Sequence, residues 1–143
     1  MKLYTIGFTK TSAERFFGRL RRAKATALVD VRLNTGSQLA GFAKREDLAW
    51  FTGELCGIPY RHELALAPTA GLLDAYRKQR LDWEAYAHAF GDLIRDRAIE
   101  TLDPTAFDGA CLLCSEPTPQ RCHRRIVAEY LAERWEDVEI VHL

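Results

Sequence analysis

The sequence predicts an α/β fold: a single three-layer domain, residues 1–143, with a mostly parallel sheet of about five strands and helices on both faces. Three observations lead there. Short apolar segments alternate with amphipathic helical ones along the whole chain. The segment Thr26–Val31 (Thr-Ala-Leu-Val-Asp-Val) is almost continuously apolar, as a strand covered on both faces should be. Strands separated by helices pair in parallel through right-handed crossovers, a Rossmann-like arrangement.

The elements follow in order. Lys2–Ile6 reads as a first strand that stops at Gly7. Thr11 or Ser12 caps a helix with Phe16, Phe17 and Leu20 at helical spacing. After strand two, Asn34-Thr35-Gly36-Ser37 breaks the pattern. Lys44–Cys56 repeats Leu48, Phe51 and Leu55 and ends at Gly57, a C-cap. Ile58–His62 is the third strand, with Pro59 confining it to an edge or its own start. Ala70–Gln79 carries Leu72, Leu73 and Tyr76. Asp82 caps a longer helix that turns Trp83, Tyr86, Phe90, Leu93 and Ile94 inward. Gly109–Cys114 is the fourth strand. Thr118 then caps a helix with Pro119 at its first position, where the missing N–H costs nothing. Asp137–Val141 closes the sheet.

At 143 residues the chain has room for one domain, which should hide roughly 68–70% of its unfolded surface. Apolar residues make up 48% and charged residues 28%, the balance of a globular protein rather than a disordered one. Twenty basic residues offset twenty acidic ones, so bulk charge does not hold this protein to nucleic acid. Neither a membrane span nor a signal peptide is visible, and the expected location is cytoplasmic. The four cysteines are too few and too irregular for a disulfide scaffold. Cys111 and Cys114 form C-x-x-C on paper, but three positions apart on a strand they face opposite sides of the sheet.

In an open parallel sheet, ligands bind beyond the carboxyl ends of the strands. Those ends collect the chemically capable residues: Gly7 and Thr9 after strand one, Asp30 and Arg32 at the end of strand two, and Tyr60 on strand three. Cys114, Ser115 and Glu116 follow strand four, and Arg121-Cys122-His123-Arg124-Arg125 opens the next helix. Asp30 and Arg32 either pair with each other or anchor a ligand hydroxyl or phosphate. Cys122 in the first helical turn would have its thiolate favoured there, although its spacing to Ile126 and Tyr130 also suits the core. Glu116 can act as general acid or base. The loop from Cys114 to Arg121 contains two prolines without N–H groups and one carboxylate, a poor phosphate cradle. Cys114, Cys122 and His123 are soft metal ligands, yet neighbours on one helical turn diverge by about 100°, and no metal is assigned.

Thr5-Ile6-Gly7, Asp30-Val31-Arg32, Gly57-Ile58-x-Tyr60, and Leu112-Leu113-Cys114-x-Glu116 followed by Cys122-His123-Arg124 together resemble the uncharacterised family catalogued as domain of unknown function 488. The resemblance spans nearly the whole chain and implies a small bacterial or archaeal-type α/β domain without an agreed activity. It directs attention to Gly7, Asp30, Arg32, Tyr60, Cys114, Glu116, Cys122, His123 and Arg124. The chain departs from the pattern at Asn34-Thr35-Gly36-Ser37-Gln38, where members often carry Pro-x-Ser-Arg, and at Leu64–Thr69, where many have Leu-Gly-Gly. Substrate can therefore differ within the family.

The leading expectation is an enzyme or ligand-processing domain. Cys114, Glu116, His123 and Cys122 would form its catalytic centre, and Gly7, Thr9, Asp30, Arg32, Ser37, Tyr60 and Arg124 would bind an anionic, nucleotide-like substrate. No cofactor and no oligomeric state follow from the sequence. A nucleic-acid module using Arg19, Arg21, Arg22, Lys24 and the Arg121–Arg125 cluster is the second expectation, and a Cys/His metal site the third. A rhodanese-like sulfur relay ranks below these, because Glu116 and the prolines oppose it.

Overall fold

The computed structural model describes residues 1–36 and 40–143. Strands β1 (Lys2–Gly7), β2 (Ala27–Asp30), β3 (Tyr60–His62), β4 (Ala110–Cys114) and β5 (Glu139–His142) form an all-parallel sheet in the order β3-β2-β4-β1-β5. This is not the 3-2-1-4-5-6 order of the dinucleotide-binding fold. The α-helices are α1 (Ala13–Ala23), α2 (Arg45–Cys56), α3 (Ala70–Arg77), α4 (Trp83–Asp96) and α5 (His123–Arg134). Among the described residues no helix is long and apolar enough to cross a membrane.

Local chemistry starts and stops most of these helices. The side-chain oxygens of Ser12, Thr69 and Asp82 accept from the backbone N–H groups of Arg15, Leu72 and Ala85, capping α1, α3 and α4. Helix α2 lacks such a cap but carries Glu46 and Asp47 in its first turn, and ends at Gly57 with φ 66°.

Alternation along the strands builds two cores. Tyr4, Ile6, Leu28, Cys111 and Leu113 face Phe16, Phe17 and Leu20 of α1 and Leu48 of α2. Leu3, Val29, Leu112 and Cys114 face Phe90 and Ile94 of α4 and Val127 and Leu131 of α5. Cys111 and Cys114 thus occupy opposite faces, as their spacing requires. The connections carrying α1 and α2 run toward β3, whereas those carrying α3 to α5 run toward β5. Leaving the sheet, the chain diverges between β2 and β4, the neighbours whose onward connections part. A crevice opens there, at the switch point.

Where expectation and structure differ, tertiary contacts explain the difference. Strand two ends at Asp30, and the third strand is cut to three residues. The fifth strand is displaced to start at Glu139, because Asp137 takes a left-handed turn with φ 53°. The helix expected to start at Pro119 forms, but as α5 it begins only at His123. Residues 115–122 are instead tied back across the sheet edge, as described below.

Asp30 and Arg32 pair with each other at the end of β2. Arg32 Nε donates to Asp30 Oδ1 at 2.8 Å and NH2 to Oδ2 at 2.7 Å. The Arg32 backbone N–H and the Tyr60 hydroxyl supply two further donors to the carboxylate. Four hydrogen bonds therefore satisfy a side chain with no solvent exposure. Arg32 also donates to the Ala43 carbonyl and lies over the Phe8 ring. Burial works against its charge, but its bonds to Asp30 outweigh that and hold the guanidinium above its ordinary pKa. Replacing Asp30 by Ala strands that cation, so urea denaturation of Asp30→Ala should show a loss of about 3–5 kcal/mol.

Candidate functional site

The site is built on the loop that follows β4. Gly7 of β1 sits in register with Cys114 of β4. Thr9 donates both its backbone N–H and its hydroxyl to the Ser115 carbonyl, at 3.1 and 2.7 Å. Arg124 NH1 donates to the Glu116 carbonyl at 2.7 Å. A Cβ on Gly7 would fall 1.6 Å from the Glu116 oxygen and 3.1 Å from Arg124 NH1, so only glycine lets the loop lie on the strand. The Cys122 N–H reaches the Pro119 carbonyl, turning the chain into α5. Gly7→Ala must displace backbone and should destabilise by at least 1–3 kcal/mol, read as a lower denaturation midpoint.

This fold-back brings three groups together. Cys114 Sγ lies 3.5 Å from His123 Nδ1. The sulfurs of Cys114 and Cys122 and a ring nitrogen of His123 all fall within 4.8 Å of one another. His123 Nε2 is 2.7 Å from the Val31 carbonyl, an acceptor, so Nε2 carries a proton. In the neutral ring Nδ1 therefore turns its lone pair toward the Cys114 thiol. Phe90 packs edge-on against the imidazole and fixes its plane. Cys122 is the residue before α5, in extended geometry with φ −136° and ψ 137°. The expected divergence of adjacent helical ligands therefore does not apply, and Cys122 and His123 converge.

The two thiols are driven apart in acidity. A hydrogen bond from Cys122 is the main influence holding Cys114 below the ordinary thiol range. Burial opposes it, while the Arg124 guanidinium and the Ser115 and Glu116 backbone N–H groups add to the lowering. Burial first, and then the bond to Cys114 and its charge, push Cys122 well up, with His123 offsetting part. Cys111, on the other face, is raised by burial alone, against Arg124 and Arg19. Arg124 is 1% exposed and, among the described residues, has no carboxylate partner; its charge favours the thiolate form of both Cys114 and Cys111.

A cavity of about 110 Å³ opens on the cluster, lined by Cys114, Glu116, Cys122 and His123 together with Arg32, Tyr76, Arg77, Tyr86 and Arg121. A wider open cleft of about 750 Å³ shares Tyr76, Arg77 and Arg121 with it and adds Trp83. Tyr76 and Tyr86 stack at 4.7 Å and 29°, giving the cavity a flat aromatic wall. Glu116 is exposed at the mouth. Arg32 reaches the wall and, among the described residues, its NH1 has no partner, though its other donors are committed to Asp30 and Ala43. Asp30 and Tyr60 do not line this cavity, because both are turned to the α1–α2 face and bonded to each other. Gly7 and Thr9 lie beyond the loop, in a separate cleft. Arg124 braces the loop from behind, and Ser37 lies outside the described residues. Sequence reasoning passed over Tyr76, Tyr86 and Arg77, since helical spacing marks the tyrosines as core. Their hydroxyls were the available signal.

Two sulfurs and one imidazole nitrogen also suit a soft cation. Ligand distances of about 2.3 Å for sulfur and 2.0–2.1 Å for nitrogen give a tetrahedral S···N edge near 3.5 Å, the separation found here. The Val31 carbonyl on the far ring nitrogen is a usual second-shell partner for such a histidine. Without a metal, iodoacetamide should modify Cys114 first, and peptide mapping should place its inflection below that of an ordinary thiol. Cys122 and Cys111 should need higher pH. Cys122→Ala removes the S–H donor and should move the Cys114 inflection upward.

No curated protein and no solved structure matches the chain. The model of the family described as Domain of unknown function DUF488 matches residues 12–131, which include β2 to β4, the loop after Cys114 and most of α5. The protein is a member of that family.

Proposed function

We propose that this protein is an enzyme whose nucleophile is Cys114 and whose substrate is a small anionic molecule with a flat, base-like group. The observation that carries the reading is the Cys114 thiol at 3.5 Å from His123 Nδ1 on the floor of a cavity, with the uncompensated Arg124 behind it. Arg77 and Arg121 at the rim, and the unpartnered NH1 of Arg32, supply attraction for an anion. The stacked tyrosines suit a planar group. The inner cavity has room for only one end of a substrate, and the cleft beside it takes the remainder.

The step such a site performs is a displacement. A Cys114 Sγ lone pair forms a bond to the electrophilic atom of the substrate as the thiol proton passes to the Nδ1 lone pair of His123. The bond from that atom to the leaving group breaks, and its electron pair departs with the leaving group. Glu116 at the cavity mouth, or solvent, relays the proton that group takes up. Cys122 positions the sulfur by donating its S–H to it, and the Val31 carbonyl holds His123 so that Nδ1 faces it. The reading carries a cytoplasmic location with it, where the four free cysteines stay reduced.

One observation favours a second reading. The S···N edge and the oriented histidine match a soft-metal site, in which the open fourth position would face the same cavity. Elemental analysis of protein purified without chelators or a nickel column separates the two. The thiol reading expects no stoichiometric metal, together with a mass adduct on Cys114 after incubation with electrophilic nucleotide analogues. Cys114→Ser should abolish that adduct, whereas Arg121→Ala should slow it several-fold. One zinc per chain, with Cys114 unreactive until a chelator is added, would replace the nucleophile by a metal centre.

A further inference from the structure

A second cleft, of about 380 Å³, lies on the other side of the Ser115–Pro117 loop. Pro117, Gly7 and Thr9 form one wall, and Lys10, Arg15, Arg19 and Arg22 form the other. Between residues 10 and 24 the chain carries six basic residues and one acidic one, a concentration that the zero net charge conceals. Arg15, Arg19 and Arg22 recur at i, i+4 and i+7 and so share one face of α1, spread over about 10 Å of helix axis.

The positive charges are not neutralised by carboxylates of the described residues. Among the described residues, no carboxylate lies within ion-pair distance of Lys10, Arg15, Arg19 or Arg22. Arg19 anchors itself to two carbonyls, donating NH2 to Gly7 and NH1 to Leu143, while its buried Nε has no partner. Arg22 folds back along the helix: its NH1 would be 3.2 Å from a Cβ on Gly18, so that glycine leaves the space it occupies. Burial is the main influence lowering the Arg19 pKa; Cys111 opposes it, and the neighbouring Arg124 and Arg22 charges add to it. Ser12 caps the Arg15 N–H, so the helix terminus is already satisfied and the side chains must do the binding.

We propose that this cleft binds the phosphodiester backbone of a nucleic acid strand. A single phosphate would call for donors converging on one point. A line of guanidinium groups about 10 Å long fits successive phosphates instead. The charged side chains of the cleft address the backbone rather than the bases. The cleft adjoins the Cys114 cavity through one loop, yet binding in it does not depend on Cys114.

Fluorescence anisotropy with labelled single-stranded DNA and RNA oligonucleotides, over a salt series, tests the proposal on the full chain. Contacts to three phosphates predict a slope of log Kobs against log salt of about −2. Arg15→Ala and Arg22→Ala, both at exposed positions, should each reduce the slope by about 0.7 and weaken binding about five- to ten-fold at 50 mM salt. Arg21→Ala, which leaves the cleft intact, and Cys114→Ser should bind like the parent, with circular dichroism confirming folded protein throughout. The proposal is overturned by no binding at low salt, by Arg15→Ala and Arg22→Ala variants indistinguishable from the parent, or by ATP competing as tightly as the oligonucleotide. The last outcome would assign the cleft to a nucleoside polyphosphate.

Discussion

The close approach of the Glu116 carbonyl to Gly7 governs the arrangement of everything functional in this molecule. A loop beginning at Cys114 and carrying two prolines would otherwise extend away from the sheet. Thr9 grips Ser115, Arg124 grips Glu116, and the absence of a side chain at residue 7 lets the loop settle onto β1. Settled there, it becomes a partition. On one side it closes the cavity above the thiols, and on the other it walls a cationic cleft. Arg124 links structure and chemistry, since the guanidinium that pins the loop also bears on the Cys114 sulfur.

The second constraint is topological. With β4 inserted between β1 and β2, chain segments distant in sequence are neighbours at one rim. Val31, at the end of β2, offers its carbonyl to a histidine 92 residues further on. That single bond sets the tautomer of His123 and so decides what Nδ1 presents to Cys114. The Asp30–Arg32 pair beside it takes the role of internal brace. It consumes the carboxylate completely and orders the rim without drawing charge away from the cavity.

Much of the architecture was legible in the residues. Alternation placed Cys111 and Cys114 on opposite faces, and Ser12, Asp82 and Gly57 marked helix ends where the structure has them. The start of α5 was not legible. Thr118-Pro119 is a sound local helix start, but the tethers to Thr9 and Arg124 hold the backbone elsewhere. Cys122 therefore became an extended residue whose sulfur turns toward Cys114. For the same reason, adjacent cysteine and histidine, which diverge on a helix, converge here. Tyr76 and Tyr86 were legible as apolar positions but not as a cavity wall, because periodicity reports which face is inward and not what lies opposite it.

By itself, the sequence determined the layered α/β class, the burial pattern of the strands, and the gathering of thiol, imidazole, carboxylate and guanidinium groups at one edge. These follow from periodicity and capping, which act over a few residues. Only the tertiary structure decided that Asp30 spends itself on Arg32 and Tyr60, that Cys114 meets Cys122 and His123, and that the arginines of α1 face an open cleft. Those outcomes depend on strand order and on one loop's path, and both are set by contacts between segments as far apart as 137 residues.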